Sequence, residues 1–193
     1  TEDFQGIFDN VLINPDSKAA GKWETQDKRN PKLKGEYYAA GVGGALAGRG
    51  ADLFIIDDPH SEQDALNPKS MEDTYEWYTS GPRQRLQPGG AIVIVMTRWN
   101  VNDLTGKLLK DAARDPKADQ WEVIELPAIL PSGKPLWPEY WKLEELESVK
   151  ASLRGGPKWH AQYMQNPSSE EGALIKREWW MEWPNKEPPD CEY

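Results

Sequence analysis

Two apolar runs stand out along the chain. Ala51-Asp52-Leu53-Phe54-Ile55-Ile56 ends in Asp57-Asp58-Pro59, and Ala91-Ile92-Val93-Ile94-Val95-Met96 ends in Thr97-Arg98. Both are short, rich in β-branched residues and not alternating, a pattern that predicts parallel strands buried on both faces. Between them, Met71, Tyr75 and Tyr78 recur at helical spacing, so a helix is expected from Pro68 until Gly81-Pro82 breaks it. Pro88-Gly89-Gly90 reads as a turn. Asn102 or a neighbour is placed to cap a helix through about Arg114, with Leu104, Leu108 and Leu109 on one side. A third strand is expected over Trp121–Leu126, closed by Pro127. Beyond an irregular, proline-broken stretch, Leu143, Leu146, Val149 and Leu153 form the stripe of a helix over Lys142–Leu153, and a shorter helix is expected over Trp159–Gln165.

The first 34 residues are polar and read as loops around one or two short strands such as Lys22–Thr25. From Glu36 to Val42 the composition suits a strand, and five glycines between Gly41 and Gly50 call for positive φ or close approach of the backbone. Strands alternating with helices over residues 50–127 predict an α/β layered fold with a largely parallel central sheet. Ligands in such folds sit beyond the carboxyl ends of the strands. Asp57-Asp58 and Thr97-Arg98 are therefore expected on one rim.

Composition narrows the function classes. The 193 residues suit one domain, or one plus an appendage. With 23 basic and 32 acidic side chains, the net charge is 23 − 32 = −9, which excludes a basic nucleic-acid coat but leaves local phosphate contacts open. The single Cys191 excludes an internal disulfide, and the absence of CxxC or a His/Cys cluster argues against structural zinc. No apolar run approaches the ~20 residues of a membrane span, and TEDFQGIFDN lacks the plan of a secretory signal, so a soluble, unexported chain is expected. Beginning at Thr1 and stopping at Cys191-Glu192-Tyr193, the sequence reads as cut at both ends.

Asp57-Asp58 carries the strongest chemical signal. An apolar strand that delivers two adjacent carboxylates to a sheltered tip costs several kcal/mol unless a partner compensates, on the order of magnitude known for buried charge. A divalent cation is one such partner: in a phosphate-hydrolysing site the first acid holds Mg2+ and the second polarises the attacking water. The plainer alternative is that one Asp caps the following turn and the other is solvated. A hydroxyl at a strand end, Thr97, suits sensing a phosphate or orienting water, although Thr is also common in strands for packing. Arg49, in the Gly-rich turn, suits phosphate as well as a surface pair with Asp52. No GxxxxGK[ST] loop occurs, and the Gly41–Gly50 stretch has no Lys and precedes a strand. The lone His60 and His160 read as surface or packing residues.

The succession GEYYAAGVGGALAGRGADLFIIDDPHSEQDA, PGGAIVIVMTRWNVNDLTGKLL, WEVIELPAI, LWPEYW and WHAQYMQNP resembles the large terminase subunit of tailed bacteriophages, the motor that packs DNA into procapsids. The likeness runs from about Gly35 to Pro184, with several motifs in family order. It implies a partial P-loop NTPase fold of the ASCE type. Residues 1–166 would be the part of the ATPase domain that carries the Walker B strand and coupling motif, and residues 167–193 a linker toward an RNase H-like nuclease domain. Carried over residue by residue, Leu53–Asp58 matches Walker B, with Asp57 as the Mg2+-associated acid and Asp58 at the water-activating position. Thr97 matches the coupling motif. Arg49 falls where some members carry an arginine that reaches a neighbouring subunit's ATP.

Where most of the family has Glu after the Walker B Asp, this chain has Asp58, one methylene shorter, and it reads LAGRG where relatives often read LTGRG. The likeness starts downstream of the family's Walker A loop and ends before the nuclease's first acidic strand. The resemblance implies ATP and Mg2+ as cofactors. Its partners would be double-stranded DNA, the portal protein, the small terminase subunit and further copies on the portal, in the host cytoplasm and with no membrane. It also implies a chain inactive by itself.

Two other functions compete with this one. In the first, the chain is a scaffold or subunit-contact module working through its Trp-rich 121–183 region. In the second it is a Mg2+-dependent nuclease using Asp57-Asp58, for which the sequence offers no obvious third carboxylate. Arg83, Arg85 and Arg98 are expected to be the basic residues nearest the rim.

Overall fold

The computed structural model describes residues 10–44 and 48–167 of the chain. Over these residues the fold is mixed α/β, with one antiparallel and one parallel sheet. Strands β1 (Val11–Ala19), β2 (Lys22–Asp27) and β3 (Lys34–Tyr38) form the antiparallel sheet in sequential order. Of these, β1 and β2 are the two strands of the polar amino-terminal region, and β3 overlaps the strand expected from Glu36, although it starts at Lys34 and ends at Tyr38. The hydrophobic signal of the region is weak because β1 is broken by Asn14-Pro15-Asp16-Ser17, where the register to β2 shifts between Ile13 and Lys18. Trp23 and Tyr37, opposite each other on β2 and β3, stack at 4.7 Å between ring centroids.

The parallel sheet consists of β4 (Ala51–Asp57) and β5 (Leu86–Val95). Helix α1 (Pro68–Ser80) crosses between them; it starts at Asn67, whose side chain accepts from the N–H groups of Lys69 and Ser70, and stops at Gly81. A four-residue helix, α2 (Pro82–Arg85), leads directly into β5. Pro88-Gly89-Gly90 does not end the strand. Instead β5 absorbs it as an irregularity: Ala51 pairs with Leu86 but Leu53 with Ala91, and Gly89 takes a φ of 81°, a conformation glycine adopts at little cost.

After β5 come α3 (Leu104–Arg114), α4 (Leu143–Ser152) and α5 (Pro157–Gln162). Ile56, Tyr78, Leu104 and Leu108 form the buried core, with Phe54, Ile92 and Ile94 packed against it, so α1 and α3 cover one face of the parallel sheet. The other face is open: Leu53 is 56% exposed, Ile55 59% and Val95 55%. The expectation that both strands are buried on both faces is corrected, because among the described residues nothing covers this side. Trp121–Leu126 also departs from expectation. It has the composition of a strand but, among the described residues, no backbone hydrogen bond pairs it with one. Among the described residues no helix is long and apolar enough to cross a membrane. The expected linker after Pro167 lies outside the described residues.

Candidate functional site

Parallel pairing sets the carboxyl ends of β4 and β5 level, with Ile56 opposite Ile94 and Asp57 opposite Val95. The next residue, Asp58, donates its N–H to the Val95 carbonyl at 2.9 Å. Its φ of 41° lies in the left-handed region, which Asp enters more readily than most residues. This turn brings the carboxylate toward β5, where Oδ1 accepts from the Thr97 N–H at 3.1 Å. The acidic strand end and the Thr97 strand end therefore meet on one rim. Asp57 is exposed and shares its strand face with Leu53 and Ile55 by the two-residue period.

Two further hydrogen bonds lace the loops that leave this rim. His60 Nε2 accepts from the Leu104 N–H at 3.0 Å, and Asn100 Nδ2 donates to the Ala65 carbonyl at 3.2 Å. His60 is 3% exposed, and its Nδ1 has no partner. Burial holds its pKa below the ordinary value, and Lys107 adds to that effect while Asp103 and Asp64 oppose it. Both histidines were read as surface or packing residues; His60 is buried and His160 exposed.

Asp103 is fully buried, and besides accepting from the Asn100 N–H at 3.3 Å it does two further jobs. Its Oδ1 accepts from the Gly106 N–H at 2.8 Å, capping α3, and its two oxygens receive Arg98 Nε at 2.9 and 3.1 Å. Arg98 is thereby committed to a structural ion pair rather than left free to meet a phosphate. Gly106 is required here: a Cβ would lie 2.3 Å from the Val101 carbonyl oxygen.

The remaining basic residues lie elsewhere. Arg49 sits just before β4, at the end opposite Asp57. With about 3.3 Å of rise per residue, the seven-residue strand separates the two by roughly 20 Å. Arg49 forms an ion pair with Glu36, not Asp52, and its guanidinium lies 4.3 Å from the Tyr38 ring centroid. Arg83 and Arg85, expected near the rim, are corrected: α2 feeds the amino end of β5, so both lie at the far end of the sheet from Thr97. Arg83 is held there by Asp119 through Nε at 2.5 Å and Nη2 at 2.9 Å.

Among the described residues no group of three or more His, Cys, Asp or Glu side chains gathers as a metal cage. The sheltered tip expected for Asp57-Asp58 is corrected, since both residues are exposed; two carboxylates at an open tip fit a different mode, in which Mg2+ keeps its waters and is held by one or two carboxylates together with phosphates. Sequence reasoning missed the roles of His60 and Asn100 as ties between loops, and no local pattern announces them. Asp103 was legible in part, as an acidic residue immediately before the Leu104 stripe. No protein-family model matches the chain, and no curated protein matches it.

Proposed function

We propose that this chain is the Walker B and coupling-motif half of the ATPase of a phage large terminase, which drives double-stranded DNA into the procapsid. The observation that carries the reading is the Asp58 Oδ1 to Thr97 N–H contact at 3.1 Å. It joins an acid and a threonine, each at the end of its own parallel strand, at the place where α/β folds bind ligands. Asp57, exposed beside them, is the residue to hold Mg2+ with its waters and the nucleotide phosphates. The bound ion would neutralise charge on the phosphates and stabilise charge as the terminal phosphoryl group is displaced.

Asp58 accepts a proton from, or orients, the attacking water. Its shorter side chain is compensated by the left-handed turn that already carries the carboxylate toward β5. Thr97 reads the state of that carboxylate through its own N–H and passes it to the loop that Asp103 and Arg98 hold rigid. Arg49 is roughly 20 Å from this rim by the strand rise used above, which suits an arginine serving a neighbouring copy rather than its own pocket. ATP hydrolysis by the intact protein tests the reading: Asp57→Ala should abolish turnover, and undiminished turnover overturns it.

A second reading, a subunit-contact module, draws on one observation. Trp137 stacks on Tyr140 at 5.0 Å between centroids and Trp141 meets Tyr140 edge-on at 5.7 Å, while all three stay exposed. Binding of portal or small terminase subunit by the isolated chain without nucleotide would favour it.

A further inference from the structure

The antiparallel sheet carries a cationic tip on an acidic chain. Residues 27–34, Asp27-Lys28-Arg29-Asn30-Pro31-Lys32-Leu33-Lys34, hold four cations and one acid, a net 4 − 1 = +3, so the other residues total −9 − 3 = −12. The loop between β2 and β3 keeps its shape through its own polar groups. Asp27 Oδ1 accepts from the N–H groups of Arg29 and Asn30 at 2.7 and 2.8 Å, Asn30 Oδ1 accepts from the Lys32 N–H at 3.2 Å, and Gln26 Nε2 donates to the Pro31 carbonyl at 3.1 Å. The one carboxylate of the tip is thus occupied by backbone amides. The other acids of β2 and β3 are occupied as well: Glu24 accepts from Asn14 Nδ2, and Glu36 pairs with Lys22 and Arg49. Lys28, Arg29, Lys32 and Lys34 are all exposed, and among the described residues none of them has an anionic partner. Like charges crowded on one turn repel one another and add nothing to the fold, which suits the tip to an anion from outside.

A free ring face lies beside that charge. Trp23 and Tyr37 stack at an interplanar angle of 17°, so each ring covers one face of the other. Strand β3 is an edge of the sheet, and among the described residues no strand pairs with its outer side. Tyr37 is 44% exposed, and its second face, away from Trp23, looks out over that edge. Gly35, two residues earlier on the same face of β3, adds no side chain; a Cβ there would lie 2.6 Å from Thr25 Oγ1. The face is therefore bare between Tyr37 and Leu33, a distance of about 13 Å at a strand's rise.

We infer that this sheet binds a single-stranded polynucleotide, with a base stacked on the outer face of Tyr37 and the phosphates of neighbouring nucleotides on Lys28, Arg29, Lys32 and Lys34. Proteins that bind single strands combine these two parts, a cationic track for the backbone and aromatic faces for unpaired bases. A duplex keeps its bases stacked on each other, and an acidic protein segment has phosphate-like charge but no base. Either would use the cations and leave the ring face idle. The site lies outside the Asp57 rim, and its ligand differs from the double-stranded cargo of the proposed function, so the inference stands without that reading.

Fluorescence anisotropy of labelled twelve-nucleotide oligothymidylate and oligouridylate with the 193-residue chain tests it, the pair telling DNA from RNA as the source. The measurement is made in EDTA without ATP, so its outcome is independent of turnover. Four phosphate contacts on a single strand give a salt slope of about −2.8, so the tighter of the two strands should lose about 50-fold in affinity between roughly 50 and 200 mM salt. Lys28→Ala combined with Arg29→Ala should bring the slope to about −1.4, because the turn is held by Asp27 and Asn30 rather than by these side chains. Tyr37→Ala should weaken binding at least about fivefold, while Tyr37→Phe, which keeps the ring, should bind as the unaltered chain does. An abasic strand of the same length should bind at least about fivefold more weakly and lose nothing further from Tyr37→Ala. No binding of either strand at low salt, an unchanged slope in the double variant, or equal affinity for the abasic strand would each overturn the proposal. So would tighter binding of a duplex of the same length, or full displacement of the strand by an equal concentration of oligoglutamate.

Discussion

Asp103→Ala gives the sharpest test of how the rim is held. The substitution removes an N-cap, which costs about 1 kcal/mol in typical helices. It also strips the Arg98 guanidinium, only 17% exposed, of its anion. Breaking a fully buried pair costs ~3–5 kcal/mol, and the residual water access of Arg98 brings its share down to about 2–3 kcal/mol. The sum is about 3–4 kcal/mol, a large fraction of the ~5–15 kcal/mol that holds a domain together. Asp103→Asn keeps an oxygen for the Gly106 N–H but turns an amide NH2 toward the Arg98 Nε–H and Asn100 N–H that Oδ2 accepts from, so it should spare only the cap and cost about 1 kcal/mol less than alanine. Urea unfolding followed by tryptophan fluorescence reads both values from the shift in midpoint at constant slope. A loss below about 1 kcal/mol for the alanine variant, on the scale of an exposed surface pair, would refute the reasoning. Equal losses for Ala and Asn would refute it as well.

Other expectations follow from the same geometry. Asp58→Asn keeps an acceptor for Thr97 and tolerates the positive φ, so stability should hold within about 1 kcal/mol while ATP turnover by the intact protein is lost; retained turnover would contradict the assignment. His60 has a folded pKa below its unfolded value, so its contribution is fully present above about pH 6.5 and is lost as the pH falls through the depressed folded pKa. Urea midpoints should therefore drop between pH 7.5 and 5.5, and His60→Gln should flatten that part of the profile. Gly106→Ala should destabilise by about 1–3 kcal/mol through overpacking against Val101, where an unobstructed helix site would gain about 1 kcal/mol; a raised melting temperature would disprove the close approach.

What could be read from the sequence depended on the strength of local patterning. Ile55-Ile56-Asp57 and Ile94-Val95 declare strands because apolar, β-branched runs of that length have few other uses, and their shared rim followed from the layered fold. Pro68 declares a helix start, and the cap expected at Asn102 or a neighbour falls on Asp103. The antiparallel sheet was legible in part: Lys22–Thr25 and the stretch from Glu36 read as strands, but β1 was hidden because Asn14-Pro15-Asp16-Ser17 interrupts its apolar residues and shifts its register to β2. Trp121–Leu126 misled for the opposite reason: strand composition states a preference, but a ladder also needs a neighbour. Arg83 and Arg85 were misplaced because closeness in sequence to Thr97 is not closeness in space when a whole strand intervenes. His60 carries no signal of its own, as its partner is a backbone N–H 44 positions away.

Paramagnetic relaxation by Mn2+ bound with ATP, read at the amides of the intact protein, bears most directly on the rim. The account predicts strong broadening at Asp57, Asp58 and Thr97, with Arg83 and Arg85 at the far end of the sheet unaffected. Broadening centred on Arg83 and Arg85, or none at the three rim amides under saturating nucleotide, would contradict it.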